Sequence, residues 1–243
     1  MTTVLSLGGS IVAPEGPDPG FIAAFADLVR EHLAADPEHR LILVVGGGGP
    51  ARAWQKAYRD VVARGAAEPG SPTGPDSPDY NEAQDWIGIM ATRLNAQLVK
   101  AVLGELCPQE VVVDPSAVTL FRGRVLVASG WKPGFSTDFD AVLLAERFGA
   151  GRLLNLSNVA KVYTADPRLD PAAAPIDAIS WAGFRAMVGD EWLPGKNLPF
   201  DPTASRKAEE IGLEVICAAG RDLGNLRAIL AGGAFVGTVI GPS

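Results

Sequence analysis

The sequence predicts an α/β protein in which helices cover a mostly parallel sheet. Short aliphatic runs alternate with segments of helical periodicity along the whole chain, which is the pattern of repeated strand–helix units. The run 41–45 (LILVV) is continuously apolar, as in a strand that is buried on both faces. Glycine clusters follow the first two runs, at 8–9 and 46–49, and indicate strand-to-helix turns.

Three helices are predicted in the first half of the chain. The helix after strand 4–7 has apolar residues at helical spacing at Ile22, Phe25, Val29 and Leu33. Strand 41–45 precedes a second helix over 50–63, with Pro50 in its first turn. A third helix is predicted over 81–103, with an apolar stripe formed by Ile87, Met90, Leu94, Leu98 and Val102.

A proline-rich segment, 66–80, separates the second and third of these helices. Its prolines fall at every third residue, at Pro69, Pro72, Pro75 and Pro78. This spacing, among Gly, Ser and Asp, favours an extended and flexible surface loop. A functional lid and a tolerated insertion both fit the pattern.

Strands and helices continue to alternate in the rest of the chain. Strands are predicted at 111–113, 125–128, 153–156, 214–217 and 237–240. Helices are predicted at 138–148, 181–188, 202–211 and 224–230. Because no repeat and no change of composition divides the chain, we expect a single domain over 1–243.

The composition excludes several classes of protein. Hydrophobic residues make up 47% of the 243 residues, which is enough for a folded core. Acidic residues outnumber basic ones, 28 to 21, and the net charge of −7 argues against a nucleic-acid or anionic-membrane surface. No run approaches the roughly 20 apolar residues of a membrane helix, and no secretory signal is visible. We therefore expect a cytoplasmic protein without nucleic-acid or membrane partners.

Cysteine and histidine are both scarce. Cys107 and Cys217 are too few for a disulfide framework or a zinc site, and we interpret them as reduced core thiols. His32 and His39 lie in a charged stretch away from the glycine clusters. Acid–base or triad chemistry that depends on histidine is therefore not expected.

Three glycine-rich loops, at 8–10, 46–49 and 130–138, are candidate anion sites. Glycine lets the backbone approach a phosphate, and a helix N-terminus offers free N–H groups. The chain has no Gly-x-x-x-x-Gly-Lys-Ser/Thr motif, which excludes a P-loop NTPase. The stretch 46–51 satisfies a loose dinucleotide fingerprint, but the proline-rich loop stands where the acidic residue should follow, so a dehydrogenase is disfavoured. In the third loop, Ser136, Thr137 or Asp138 is expected to cap the helix that follows.

Eight motifs follow one another along nearly the whole chain. They are 4–10 (VLSLGGS), 44–48 (VVGGG), 85–96 (DWIGIMATRLNA), 133–138 (PGFSTD), 157–167 (SNVAKVYTADP), 201–204 (DPTA), 224–226 (GNL) and 237–238 (GT). This series resembles the amino acid kinase superfamily and, within it, the UMP kinases of archaeal type. Segment 157–167 marks the superfamily, and segment 85–96 is more specific to UMP kinases.

The resemblance implies a fold and an activity. The fold would be a three-layer αβα sandwich, the amino acid kinase fold, with a UMP side over 1–150 and an ATP side over 151–243. The activity would be transfer of the ATP γ-phosphoryl group to UMP, giving UDP for pyrimidine biosynthesis. In-line transfer without a covalent intermediate requires alignment and charge neutralisation, which backbone amides and Mg2+ can supply. Mg2+ is expected on the ATP phosphates without a direct side-chain ligand, and the chain is expected to form a homo-oligomer, a hexamer in the family.

The resemblance also implies roles for individual residues. Those expected to hold ATP are Gly8, Gly9, Ser10, Asn158, Tyr163 and Asp166. Those expected to bind UMP are Gly47, Gly48, Arg52, Asp85, Gly88 and Thr137. Gly9 and Ser10 would also cradle the transferred phosphoryl group, Asp85 would accept hydrogen bonds from the ribose, and Asp138 would order the catalytic groups.

The chain departs from the family pattern at two places. Many relatives carry a lysine at the position of Ser6, so a cation must come from elsewhere, and the loop lysines Lys132 and Lys196 are the catalytic candidates. Relatives carry Asp-Gly where this chain has Ala160 and Lys161. Because lysine tolerates a positive φ poorly, either this loop has a different shape or Lys161 reaches the ATP phosphates.

Two other functions remain open at this level. A kinase of the same fold could use another acceptor, such as a carboxylate, a carbamate or a phosphorylated alcohol. A relative that binds a nucleotide without transferring its phosphate could serve storage or regulation. The sequence leaves open the acceptor, the oligomeric state, any allosteric effector and the role of 66–80.

Overall fold

The fold is described by a computed structural model, in which residues 1–65, 78–167, 169–189 and 198–242 are placed. The strands are β1 (Thr2–Leu7), β2 (Arg40–Val45), β3 (Val125–Ala128), β4 (Arg152–Ser157), β5 (Val162–Tyr163), β6 (Pro175–Ile176), β7 (Ala178–Ser180), β8 (Glu214–Ala219) and β9 (Thr238–Gly241). The α-helices are α1 (Gly9–Val12), α2 (Pro19–Ala35), α3 (Gly48–Gly65), α4 (Pro78–Leu103), α5 (Thr137–Arg147), α6 (Trp181–Val188), α7 (Pro202–Glu210) and α8 (Leu223–Leu230). A 3-10 helix spans Gly104–Leu106.

Seven of the described strands form one mostly parallel sheet in the order β3-β2-β1-β4-β8-β9-β7. The first five run parallel to one another, whereas β9 is antiparallel to β8 and β7 is parallel to β9. Strands β5 and β6 form a separate antiparallel pair. The predicted α/β class with a mostly parallel sheet is thereby confirmed.

Two hydrophobic cores cover the two faces of this sheet. On one face, side chains such as Leu5 and Leu43 pack against buried residues of α2, α4 and α8. On the other face, Val4 and Val44 pack against α5, α6 and α7. Alternate residues of each central strand therefore enter opposite cores, which is why these strands are apolar throughout. The result is the three-layer αβα arrangement that the resemblance implied.

Most predicted elements are present, but segment 111–113 is not a strand. Only Val112 pairs there, in an isolated bridge to Ala128. The chain turns away directly afterwards, because the carboxylate of Asp114 accepts hydrogen bonds from the backbone of Ser116 and Ala117. The short elements α1, β5, β6 and β7 were not predicted from the sequence.

The apolar stripe predicted on the long helix α4 faces the core only at its C-terminal end, where Leu98 and Val102 pack against it. Met90 is 57% exposed and Leu94 is 72% exposed. The helix instead buries the face that carries Ile89, Ala91, Thr92, Asn95, Ala96, Val99 and Leu103. Small and polar side chains on this face let α4 approach the backbone of the glycine loops.

The proline-rich segment lies mostly outside the described residues, which omit 66–77. Helix α4 begins at Pro78, three residues earlier than predicted, so 78–80 belong to its first turn. The division into a UMP side and an ATP side remains a prediction.

Candidate functional site

The glycine loops follow parallel strands and therefore meet at one edge of the sheet. Strands β1, β2, β3 and β4 are in parallel register and all end at this edge. The N–H of Gly8 donates to the carbonyl of Leu156 at 2.9 Å, and the N–H of Gly46 donates to the carbonyl of Leu7 at 2.9 Å. The carboxyl edge of a parallel sheet is the usual ligand site of α/β folds.

The first two glycine loops touch each other through their backbones. A Cβ added to Gly9 would lie 1.9 Å from the nitrogen of Gly48. Gly48 itself has φ +63°, a backbone conformation that favours glycine. Helix α3 begins at Gly48, so its N-terminal N–H groups and its dipole favour an anion at this point.

Side chains of α4 form hydrogen bonds with the backbone of the second and third glycine loops. The amide of Asn95 donates to the carbonyls of Gly46 and Gly47 at 2.9 and 3.1 Å. The hydroxyl of Thr92 accepts from the N–H of Gly130 at 2.8 Å. Helix α4 therefore fixes the second and third loops relative to each other.

The third loop lies against the UMP-kinase-like segment of α4. The carboxylate of Asp85 accepts from the N–H of Gly134 at 2.9 Å, and the guanidinium of Arg93 donates to the carbonyl of Trp131 at 3.2 Å. Ser136 is the N-cap of α5 and accepts from the N–H of Phe139, as one of the three predicted caps. The hydrogen bond of Asp85 therefore links α4 to the third glycine loop, which the sequence predicted to belong to the same site.

The ammonium group of Lys132 lies on aromatic rings of the same loop. Its Nζ is 3.8 Å from the ring centroid of Trp131 and 5.0 Å from that of Phe135. The rings of Phe135 and Phe139 continue this stack, with centroids 4.9 Å apart. A cation over an aromatic face is attracted to the ring electrons, so these rings hold the ammonium group of Lys132 within the third glycine loop.

Asp138 and Asp201 lie at this edge, and both have raised pKa values. The carboxylate of Asp138 accepts from the hydroxyl of Ser6 at 3.1 Å. Burial, with the charge of Asp201 as a second cause, raises the pKa of Asp138 to about 6. Burial also raises the pKa of Asp201, which caps α7 by accepting from the N–H of Ala204. In the described part of the chain, neither carboxylate forms an ion pair.

The other predicted UMP-binding residues lie on α3 and α4 and at the start of α5. Arg52 is exposed on α3 and donates to the carbonyl of Pro14 at 3.0 Å. Gly88 is approached by Gln55, since an added Cβ would lie 2.8 Å from that amide nitrogen. Thr137 is the first residue of α5, beside Asp138.

The predicted ATP residues outside the first glycine loop follow β4, the neighbour of β1 in the sheet. Asn158 is exposed directly after β4, and Tyr163 lies in β5. The ammonium of Lys161 pairs with the carboxylate of Asp177, and its backbone φ is not positive. Contact of Lys161 with ATP phosphates, like the role of Asp166, stays a prediction.

One predicted catalytic residue, Lys196, lies outside the described residues. Sequence reasoning did not assign roles to Thr92, Asn95 or Asp201, although all three stand in the quoted motifs. The available signal was the polar character of Thr92 and Asn95 within an apolar helix, and the position of Asp201 directly before a proline. Asp140 was not predicted as a site residue either. The one indication was a carboxylate among the apolar residues of α5.

Cysteine and histidine lie as the sequence indicated. Cys107 and Cys217 are free and buried, and burial raises the pKa of Cys217 to about 12. The rings of His32 and His39 stack with centroids 4.2 Å apart, at the amino edge of the sheet, away from the glycine loops. No helix in the described part of the chain has the length and apolar character that crossing a membrane requires.

Comparisons with known proteins find relatives that match nearly the whole chain. The model of the amino acid kinase family matches residues 1–219. A uridylate kinase of Methanospirillum hungatei is 35% identical over 98% of this chain and 94% of its own length, and one of Methanococcoides burtonii is 36% identical over 91% and 88%. The crystal structure of uridylate kinase from Archaeoglobus fulgidus has a TM-score of 0.78 and 32% identity, covering 99% of this chain and all of that one. UMP kinase from Bacillus anthracis, at 18% identity and a TM-score of 0.71, shares the fold.

Proposed function

The chain belongs to the amino acid kinase family, and from this premise we propose that it is an ATP-dependent UMP kinase that produces UDP. The observation that carries the proposal is the position of Asp85. This carboxylate belongs to the segment most specific to UMP kinases and contacts the third glycine loop through the N–H of Gly134. The relatives that match over nearly the whole chain are uridylate kinases.

The glycine loops supply the alignment that this reaction needs. The amides of Gly47 and Gly48 at the start of α3, with Arg52 one turn later, form a cradle for the phosphate of UMP. Gly8, Gly9 and Ser10 in the adjoining loop receive the transferred phosphoryl group and the ATP phosphates. Because Gly9 and Gly48 are in backbone contact, the two phosphates are brought to neighbouring positions. Alignment of this kind is the main requirement of phosphoryl transfer.

Charge neutralisation has to come from few groups in this acidic chain. Lys132 on its aromatic rings and Lys196 are the lysines proposed to contact phosphate, and Asp138 is proposed to order the reacting groups. Asn158, Lys161, Tyr163 and Asp166 are proposed to frame ATP. Mg2+ would be carried by the ATP phosphates and neutralise their charge when bound. The described part of the chain has no grouping of three His, Cys, Asp or Glu residues that could hold a metal by itself.

The acceptor is tested by measuring ADP release from Mg-ATP with a panel of acceptors. The panel contains UMP, CMP, aspartate, glutamate, carbamate and isopentenyl phosphate. Turnover that depends on UMP supports the proposal. Turnover with a carboxylate, a carbamate or isopentenyl phosphate instead would assign another acceptor, and ATP binding by calorimetry without any transfer would assign a storage or regulatory role.

Substitution of Asp85 with alanine should impair UMP use selectively. Loss of a charge-assisted bond to the ribose should raise the KM for UMP by about tenfold or more, with little change in the KM for ATP. Steady-state kinetics with each substrate varied in turn measure both constants. Glu82→Ala, one turn earlier on α4, is the control and should change neither. Equal effects of Asp85→Ala on the two KM values would contradict a ribose contact.

We further propose that the chain forms a homo-oligomer in the cytoplasm through the exposed apolar face of α3 and α4. Trp54 and Val61 on α3, and Trp86, Met90 and Leu94 on α4, are all at least 40% exposed. Helices α3 and α4 pack on each other, and large exposed apolar patches mark interaction sites. A second copy is the proposed occupant, because closed symmetric assemblies bury one patch against itself.

Leu94→Glu is expected to dissociate this oligomer. A carboxylate placed in an apolar interface would have to be buried without a partner. Sedimentation equilibrium should give a lower mass for the variant than for the wild type. Leu169→Glu, at an 83% exposed leucine far along the chain, is the control and should leave the mass unchanged. A monomeric wild-type protein would contradict the proposal.

A further inference from the structure

The most unusual side chain near the site is Asp140, in the first turn of α5. It is 0% exposed, and its helical neighbours Ala141, Val142 and Leu144 are equally buried. A buried carboxylate is costly unless something bonds to it. Its Oδ2 accepts from the N–H of Trp131 at 3.1 Å, whereas its Oδ1 has no hydrogen-bond partner among the described residues. Among the described residues, the hydrogen bond from the N–H of Trp131 is therefore the interaction that stabilises this carboxylate.

Trp131 is held by hydrogen bonds at both ends of its backbone. Its N–H donates to Asp140, and its carbonyl accepts from Arg93 of α4. Its ring in turn lies under the ammonium of Lys132. A shift of Trp131 would move this cation.

We propose that Asp140 is a positioning residue of the UMP site, which fixes the third glycine loop and the ammonium of Lys132 through the backbone of Trp131. The inference rests on the proposed function and adds to it a residue that does not touch the substrate. The first turn of a helix favours a negative charge, and a charge-assisted bond is stronger than a neutral one. The ionised form of Asp140 therefore holds the loop most firmly.

The surroundings of Asp140 make this bond sensitive to pH. Burial, above all, raises the pKa of Asp140 to about 7. Asp138 on the same helix and Asp114 on the segment before β3 raise it further, whereas the N–H of Trp131 lowers it. Arg93, which approaches from α4, bonds to the carbonyl of the same tryptophan. As the pH falls through about 7, Asp140 becomes neutral and its bond to the loop weakens.

The test compares Asp140→Asn and Asp140→Val with the wild type by UMP kinetics between pH 6 and 8.5. The wild-type KM for UMP should rise as the pH falls through about 7. Asp140→Asn keeps an acceptor oxygen but cannot ionise, so its KM should not follow pH in this range. Asp140→Val should raise the KM by about tenfold at pH 8, with kcat within about twofold. Glu146→Gln, a carboxylate of the same helix away from the loop, is the control and should behave like the wild type.

A second measurement separates this role from general loss of structure. The amide proton of Trp131, followed by NMR in labelled protein, should shift with pH in the wild type and not in Asp140→Asn. If Asp140→Val fails to fold, the pH profiles of the wild type and Asp140→Asn decide. The role of Asp140 is overturned if both proteins turn over UMP with the same pH-dependent KM. A wild-type protein without UMP-dependent turnover would overturn the proposed function, and this role with it.

Discussion

Replacing Gly9 with alanine is expected to destabilise the protein severely and to abolish its activity. The added Cβ would lie 1.9 Å from the nitrogen of Gly48 and 2.6 Å from its Cα. Both are backbone atoms at the start of α3, so no side-chain rotation can relieve the contact. The first two glycine loops would have to separate, at a cost of roughly 3–5 kcal/mol, as for other severe steric substitutions.

Urea unfolding followed by circular dichroism, together with UMP kinetics, measures both effects. Gly16→Ala is the matched control, because an added Cβ there meets no atom within 4 Å and the backbone φ is not positive. This control should change the free energy of unfolding by no more than about 0.5 kcal/mol. A Gly9→Ala protein with the wild-type unfolding midpoint and activity would show that the loops are not in backbone contact.

The contact between Gly9 and Gly48 marks a limit of sequence reasoning. The glycine clusters could be assigned to the ends of strands, because aliphatic runs stop there. Their interlocking depends on the register of β1 and β2, in which Leu7 pairs with Val45 so that both loops begin at the same level. Register is a property of two segments far apart in the chain and leaves no local pattern.

Helix α4 shows a limit of a different kind. Its length was predictable from periodicity, but its buried face was predictable only in part, at Leu98 and Val102. Two faces of the helix carry apolar residues, and the larger residues, Met90 and Leu94, point away from the core. Asn95 is buried because the carbonyls of Gly46 and Gly47 need donors. Hydrophobicity alone does not select Asn95 for burial, since the deciding interaction is a hydrogen bond to a loop.

The carboxylates of the site were only partly predictable. Asp138 could be selected because it stands in a motif at the start of a helix. Asp201 lies 63 positions later, and it approaches Asp138 only because α5 and α7 pack on the same face of the sheet. Such proximity arises from tertiary packing, which a single sequence does not reveal.

Asp138→Asn is expected to lower activity and raise stability at the same time. The asparagine can still accept from Ser6, but it lacks the charge proposed to order the reacting groups, so kcat should fall by about 100-fold or more. The pKa of Asp138 is about 6 in the folded protein and 3.8 as a free carboxyl. The folded protein therefore binds more protons between these values, and its stability decreases as the pH rises through this range.

At pH 8 the variant avoids burying this charge, and it should be more stable than the wild type by about 1–3 kcal/mol, a difference that should vanish near pH 4. Urea unfolding at the two pH values measures the difference, and kcat against pH should lose its limb near pH 6 in the variant. Asp27→Asn, at an exposed carboxylate paired with Arg30, is the control and should change neither quantity measurably. A variant that is less stable than the wild type at pH 8 would mean that the native site stabilises the ionised form of Asp138. In that case the charge would contribute to folding as well as to the proposed reaction, and the opposition between stability and activity at this edge of the sheet would not exist.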